Sequence, residues 1–164
     1  MSMVWVARLA NDAQTAEVRA NPNSAYDFIN AGDEIDDVNI LYLDKDWHVA
    51  HHLLTGTAEP VDSPLSLILG KFEQIGDDHG YGPAWFIPAN ALRAFSEESA
   101  SLDESELRRR YDPDAMAREQ VYIGDEYQEE GEEGFPYLLQ RVEAVRKFAD
   151  RATASGSGAF AVIT

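Results

Sequence analysis

The last six residues, "AFAVIT" (159–164), form an almost unbroken apolar run at the end of the chain. Strands with one face in water alternate apolar and polar residues, whereas strands covered on both faces read as continuous apolar runs. The run therefore predicts a buried strand covered on both faces. A second strand is predicted from "MVWVARL" (3–9), which is rich in β-branched and aromatic residues. We expect the first and last strands to lie near each other in one sheet.

The residues before the final strand predict the longest helix of the chain. Apolar residues recur there at alternating spacings of three and four, which places them on one helical face: Phe135, Leu138, Val142, Val145, Ala149 and Ala152. Three cationic residues near its C-terminal end oppose the negative end of the helix dipole: Arg146, Lys147 and Arg151. The glycines of "SGSG" (155–158) end the helix.

Capping and turn residues divide the rest of the chain into short elements. Asn11 and Gln14 predict a capping box for a first helix, and Ser101 with Glu104 predicts another. Three further elements follow from local composition: a short helix in "SPLSLILGKF" (63–72), a strand in "YGPAWFI" (81–87), and either a strand or a helix in "VNILYL" (38–43). Pro83 places the second of these either at a sheet edge, from which it could pair across a dimer, or at the start of its strand. The acidic "GDEIDD" (32–37) is predicted to be a loop.

The composition fits one domain with a substantial core. The chain has 164 residues and 45% hydrophobic content, and domains of about this length bury roughly 70% of the surface that their unfolded chains expose. We predict a single α+β domain over residues 1–164. It has a small mixed sheet of about three strands packed with six or seven helices, and a long C-terminal helix followed by a final buried strand.

The composition also excludes several kinds of site. The chain has no cysteine, which excludes disulfides, thiolate metal sites and cysteine nucleophiles. No secretion signal or bilayer-spanning apolar run is found in the sequence, so we expect a cytoplasmic protein.

The net charge is the most extreme feature of the sequence. There are 30 acidic and 13 basic residues, which give a formal charge of −17. Such a charge repels phosphate groups, so binding to nucleic acid and adsorption to an anionic membrane are both disfavoured. A basic protein is the expected macromolecular partner. The alternative is that the charge only maintains solubility.

Three of the four histidines lie in "LDKDWHVAHHLLTG" (43–56). A rotation of about 100° per helical residue places Trp47 on the buried arc and turns His48 and His52 toward solvent. With Asp44 four residues before His48, these side chains form a ladder that could bind Zn²⁺ or Ni²⁺. A ladder on the solvent side has no evident shield or supporting hydrogen bonds. No metal site and no cofactor are therefore predicted.

His51 differs from its neighbours because it lies at the border of the buried arc. It follows Trp47 and precedes Thr55 by one turn each. An imidazole at such a border can titrate near neutral pH and reach into a cleft formed by the following "TGT" turn. The candidate pocket therefore comprises Trp47, His51, Thr55 and a nearby carboxylate, Asp44. The alternative is a structural histidine that is hydrogen-bonded to the backbone.

These segments together resemble the YfbM-like family, small bacterial proteins classed as a domain of unknown function. The resemblance runs over essentially the whole chain, through "LDKDWHVAHHLLTG", "PLSLILG" (64–70), "GYGPAWFIP" (80–88), "SLDESELRRRYD" (101–112) and the long helix before "AFAVIT". It is most specific at Leu43, Asp44, Lys45, Trp47, His51, Leu54, Thr55 and Gly56. Ala50 stands where the family usually has leucine, and His52 has no fixed counterpart. The resemblance implies a single α/β domain in a cytoplasmic setting and assigns no activity, substrate or catalytic residue.

The stretch "GDEYQEEGEEG" (124–134) is predicted to be a carboxylate-rich loop. Like-charge repulsion would hold it extended as a flexible docking surface for a basic protein, which would contact six side chains: Asp125, Glu126, Glu129, Glu130, Glu132 and Glu133. It could instead be a solubilising loop.

Three classes of function follow from these observations. The first is an interaction protein, an inhibitor or immunity-type factor for a basic partner. The second is a small-molecule or metal-dependent enzyme with a cleft at His51, and the third is a ligand-binding or sensory domain that uses the same cleft. The sequence contains no complete nucleophile, acid–base pair or metal-ligand triad, so the interaction protein ranks first. The oligomeric state is not readable from the sequence.

Overall fold

The computed structural model describes residues 2–32 and 37–164. Within them, five strands form one sheet in the order β2-β1-β5-β4-β3. The strands are β1 (Trp5–Ala10), β2 (Ile40–Asp44), β3 (Glu73–Ile75), β4 (Ala84–Ile87) and β5 (Gly158–Ile163). The helices are α1 (Asp12–Ala20), α2 (Ala25–Asn30), α3 (Trp47–Thr55), α4 (Ala89–Ser99), α5 (Glu104–Arg110), α6 (Pro113–Arg118), α7 (Gly124–Glu130) and α8 (Phe135–Ser155). The predicted loop at 32–37 lies largely outside the described residues.

The final strand β5 is the centre of the sheet, as its apolar run predicts. It pairs with β1 on one side and with β4 on the other. Ala159 and Ala161 point into the larger core, which α3, α4, α5 and α8 complete, while Phe160 and Val162 point into a smaller core under α1 and α2. Both faces of β5 are thus covered, and the predicted proximity of the first and last strands is confirmed.

The α+β class is confirmed, but the sheet is larger and more regular than predicted. It has five strands instead of about three, and every strand pair is antiparallel. Residues 38–43, for which the sequence left both a strand and a helix open, belong largely to strand β2. Strand β4 lies between β5 and β3, so it is not an edge strand that could pair across a dimer; it begins at Ala84, directly after Pro83, as the strand-start alternative predicts. The edge on this side of the sheet is β3, whose three residues are too few and too polar to be recognised from sequence.

The helix predicted over residues 63–72 does not form. Serine side chains satisfy the local backbone instead, because the Leu65 amide donates to Ser63 Oγ and the Val61 amide donates to Ser66 Oγ. Such bonds compete with helical ones. Apolar residues of this segment still enter the core, among them Leu67 and Ile68.

The first capping prediction is confirmed and the second is wrong. Asn11 and Gln14 form both hydrogen bonds of the predicted capping box at α1. Helix α5 is capped by Asp103, whose carboxylate accepts from the Glu106 amide at 2.8 Å. In residues 2–32 and 37–164, no helix has the length and apolar content needed to cross a bilayer.

Candidate functional site

Helix α3 is buried around almost its whole circumference. Trp47 is buried as predicted, but His52 is only 2% exposed, so its predicted solvent-facing position is wrong. His48 is half-buried. The reason is that residues 57–59 and 119–122 cover the side of α3 that was assigned to solvent. A helical periodicity reports which residues are apolar and carries no information on distant segments that cover the polar side.

The hydrogen bonds of His48 fix its protonation. Its Nδ1 accepts from the Tyr122 amide at 2.9 Å, and its Nε2 lies 2.8 Å from Ala58 O. An amide can only donate and a carbonyl can only accept, so Nδ1 is the acceptor and Nε2 carries the proton that it donates. Both nitrogens are thereby used in joining α3 to two loops.

His51 holds the loop that follows α3. The ring is fully buried, and its Nε2 donates to Glu59 O at 2.9 Å. Burial lowers the pKa of His51 to about 4, so the imidazole is neutral near pH 7. His51 therefore does not lie at the rim of a cleft as predicted; it is fully buried and bonded to the backbone. This geometry favours the structural alternative for His51.

His52 has a different neighbour. Its Nε2 lies 3.4 Å from Glu119 Oε2, and burial lowers the pKa of the ring although the carboxylate opposes that shift. Among residues 2–32 and 37–164, no three His, Asp or Glu side chains converge as metal ligands. Asp44 in particular ends β2 and does not lie on the helix, so the predicted ladder with His48 and His52 is not formed.

The acidic stretch is folded, contrary to the flexible loop that the sequence predicted. It forms α7 and a single 3₁₀ turn, Gly131–Gly134, before α8. Tyr127 is buried on the inner side of α7, and Tyr111 donates to Gly131 O at 2.7 Å. These two aromatic anchors fix the backbone while the six predicted carboxylates stay exposed on what we call the acidic face: Asp125, Glu126, Glu129, Glu130, Glu132 and Glu133.

A buried charge network lies behind the acidic face. Asp46, 6% exposed, accepts from the Tyr127 hydroxyl through Oδ1 and from Arg141 Nε through Oδ2, both at 2.9 Å. The Arg141 guanidinium also donates to the Tyr137 hydroxyl. Burial and the Asp46 charge raise the pKa of Tyr127, which keeps the phenol protonated. Burial alone would lower the pKa of Arg141, but Asp46 and Tyr137 together more than offset the effect of burial, and the pKa is raised.

Sequence reasoning missed Asp46, and no sequence signal distinguishes it from a helix cap. An aspartate directly before a helix reads as an N-cap. Asp46 makes no side-chain capping bond to α3, which leaves its carboxylate available to Tyr127 and Arg141. Only the structure therefore gives it a tertiary role.

The network borders a cavity of about 280 Å³, which we call the acidic cavity. Four of its lining residues are carboxylates, one is a lysine, and the rest are apolar or aromatic: Asp44, Asp46, Glu126, Glu130, Lys45, Ile123, Tyr127 and Tyr137. Asp44 thus contributes to this cavity. Trp47, His51 and Thr55 line neither this cavity nor either of two further cavities, which measure about 330 and 480 Å³.

Backbone strain is concentrated at the acidic cavity. Two of its lining residues, Asp44 and Ile123, have φ angles of +52° and +57°. A positive φ is tolerated by aspartate but is a clear outlier for a β-branched residue. Each such residue costs on the order of 1–3 kcal/mol and persists only where the surrounding structure enforces it. Strain of this kind clusters at functional sites.

Comparison with known proteins gives the family and the fold. No curated protein matches the chain. A solved structure described as a protein of unknown function, YfbM from Escherichia coli, is similar with a TM-score of 0.75 and 22% sequence identity, over 99% of this chain and 100% of that chain. At this identity the likeness shows the fold alone. A family model matches residues 1–162, and the chain therefore belongs to the family described as a domain of unknown function, DUF1877.

Proposed function

We propose that this protein is an interaction protein, an inhibitor or immunity-type factor, that binds a basic protein partner through its acidic face. The observation that carries the proposal is the acidic cavity, which lies at the base of that face. A cationic side chain of the partner enters the cavity, and further basic residues pair with the exposed carboxylates. The cytoplasmic setting expected from the sequence is part of this proposal.

The charges around the cavity support a cationic occupant. Glu126 and Glu130 belong both to the acidic face and to the cavity wall, and Asp44 adds a third carboxylate. Arg141 already neutralises Asp46, while Lys45 offsets one of the remaining three. The cavity therefore keeps an excess of negative charge. An arginine or lysine is the protein group that matches it.

The rigidity of the acidic face supports binding over mere solubility. A solubilising segment needs only charge, yet Tyr111 and Tyr127 anchor this segment from behind. Holding carboxylates on an ordered backbone reduces the conformational entropy lost when a partner binds. Tyr137, 47% exposed at the cavity, adds aromatic area of the kind enriched in protein interfaces.

The experiment is capture from the native lysate followed by titration with the captured partner. We expect a basic protein whose binding weakens steeply between about 0.1 M and about 1 M salt, because the Debye length falls from about 10 Å to about 3 Å. Glu126→Gln/Glu130→Gln is expected to weaken binding by about tenfold or more, equivalent to about 1.4 kcal/mol.

The matched control is Glu97→Gln/Glu98→Gln, which removes the same charge from exposed positions of α4. We expect it to change affinity by less than about threefold, since distant surface charges are screened. Equal losses in the two double variants would mean that only net charge attracts partners, and the proposed role of the cavity would be wrong. Capture that is insensitive to salt would also contradict it.

A further inference from the structure

A groove between β2 and α8 concentrates positive charge in this acidic protein. It has a volume of about 330 Å³ and is distinct from the acidic cavity, although Arg141, which lines the groove, pairs with Asp46 of that cavity. We call it the cationic groove. Its cations are Arg141, Lys147 and Arg151, and its apolar lining includes Val38, Leu41 and Phe148.

Among the described residues, two of these cations have no carboxylate partner. Several arginines do pair with carboxylates, as Arg19 does with Glu73 and Arg146 with Glu143, whereas the exposed Arg93 and Arg118 are unpaired among the described residues but share no groove with another cation. Within residues 2–32 and 37–164, Lys147 and Arg151 form no ion pair. Acidic residues outnumber basic ones by 30 to 13, so unpaired cations that share a groove are not forced by composition.

The spacing of the cations makes the groove unfavourable when it is empty. Lys147 and Arg151 lie four residues apart in α8 and therefore on one side of the helix, where like charges repel each other. Arg141 lies about 15 Å along the axis from Arg151 at 1.5 Å per residue. Its guanidinium is held in place by Asp46 and Tyr137. A bound anion would relieve the repulsion and meet a cation that is already ordered.

The apolar lining and the size define the class of ligand. Leu41 and Phe148 are buried core residues that reach the groove, so part of an occupant is removed from water. The volume lies at the lower end of the range for small-molecule sites, about 300–1,000 Å³. We propose that the cationic groove binds a small organic anion, with one or two carboxylate, sulfonate or phosphate groups on an apolar body.

The first test uses two fluorescent probes that differ in charge. 8-Anilinonaphthalene-1-sulfonate is an apolar anion, and N-phenyl-1-naphthylamine has nearly the same rings without the sulfonate. We expect saturable binding of the sulfonate with one site per chain, weakened by salt. The neutral probe is expected to bind about tenfold more weakly, because a charge-assisted bond is lost. Equal, salt-insensitive binding of both probes would overturn the proposal.

The second test compares two double variants of equal charge. Lys147→Gln/Arg151→Gln removes two groove cations, while Arg93→Gln/Arg118→Gln removes two exposed cations from α4 and α6. All four positions are exposed, so both proteins are expected to fold. The groove variant is expected to bind the sulfonate about tenfold more weakly and the control within about twofold. Equal losses would overturn the proposal.

Two macromolecular occupants are distinguished in the same assay. If a glutamate-rich peptide displaces the sulfonate and benzoate or phthalate does not, the groove binds an acidic protein segment and the small-molecule proposal is wrong. If sedimentation shows a dimer that the sulfonate dissociates, the occupant is a second copy of this chain, and the proposal is again wrong. Displacement by phthalate from a monomer supports it. The proposed function does not depend on either result, because its test uses residues outside this groove.

Discussion

The histidine side of α3 and the acidic cavity differ in how their polar groups are used. Two of the three histidines bond backbone carbonyls of the covering loop, His48 to Ala58 and His51 to Glu59. At the cavity, buried Asp46 is satisfied from behind while Glu126 and Glu130 remain exposed in front. Residue types associated with catalysis serve packing in one region, and common surface residues form the proposed binding site in the other.

The comparison teaches that unused interaction capacity is a better guide to a site than residue type. His48 and His51 each use Nε2 as a donor to a loop carbonyl, so that donor is not available to a ligand, although among the described residues His51 Nδ1 is buried without a hydrogen-bond partner. A carboxylate that lines the acidic cavity without a partner in the described part of the chain keeps its charge available to a bound cation. The following predictions therefore separate the buried groups of both regions, which we expect to affect stability, from the exposed carboxylates of the acidic cavity, which we expect to affect binding.

Asp46→Ala is expected to have the largest effect, because the aspartate supports the acidic cavity from behind. The substitution leaves Arg141 half-buried without its carboxylate and Tyr127 without its acceptor. Breaking such a pair costs about 3–5 kcal/mol in the free energy of unfolding, which urea denaturation measures. Glu97→Gln, on the exposed side of α4, is the control and should change stability by less than about 0.5 kcal/mol. A loss below about 1 kcal/mol for Asp46→Ala would show that the network does not support the cavity.

The next effect is a dependence of stability on pH that arises in the histidine region. The pKa of His51 is about 4 in the folded protein against 6.5 ordinarily, so the unfolded chain binds more protons between these values. Stability is therefore complete above about pH 6.5 and is lost as the pH falls toward 4, by at most about 1.4 kcal/mol per pH unit for this group. His52, whose pKa is also lowered, adds to the same trend.

The pH effect is checked by urea unfolding of the native protein and of His51→Gln at several pH values from 7.5 to about 5. The variant keeps an amide donor but does not titrate in this range, so its stability should depend less steeply on pH. Partner capture near pH 7 should be unchanged. An identical pH dependence in the two proteins would mean that His51 is not the buried titrating group, and the contrast between the regions would weaken.

The smallest effect is expected at the strained backbone of the acidic cavity. Asp44→Gly relieves a φ of +52° and should raise the free energy of unfolding by up to about 1 kcal/mol. The same change removes a cavity carboxylate, so binding of a basic partner should weaken. Asp44→Asn is the matched variant, because asparagine tolerates this conformation but carries no charge. It should weaken binding equally without the gain in stability, and tighter binding by either variant would contradict the proposed cavity.

The local parts of the fold could be predicted and the composition of the site could not. The capping box of Asn11 and Gln14 joins residues three apart, and the apolar stripe of α8 repeats within single turns. The sequence identifies the acidic residues but predicts a loop for their segment. The residue that anchors the segment, Tyr127, bonds to Asp46, which is 81 residues away in the chain and leaves no local pattern. Asp46 was missed for the same reason, since Arg141 is 95 residues away.

The sequence by itself determined the class of the fold and its central strand, because an apolar run such as "AFAVIT" requires cover on both faces wherever it is placed. It also determined the net charge on which the proposal of a basic partner rests. Only the tertiary structure decided which side of α3 is covered, which residues adopt a positive φ, and which carboxylates share a cavity. These outcomes depend on contacts between distant segments, whose free energy exceeds the local preferences that a sequence pattern expresses.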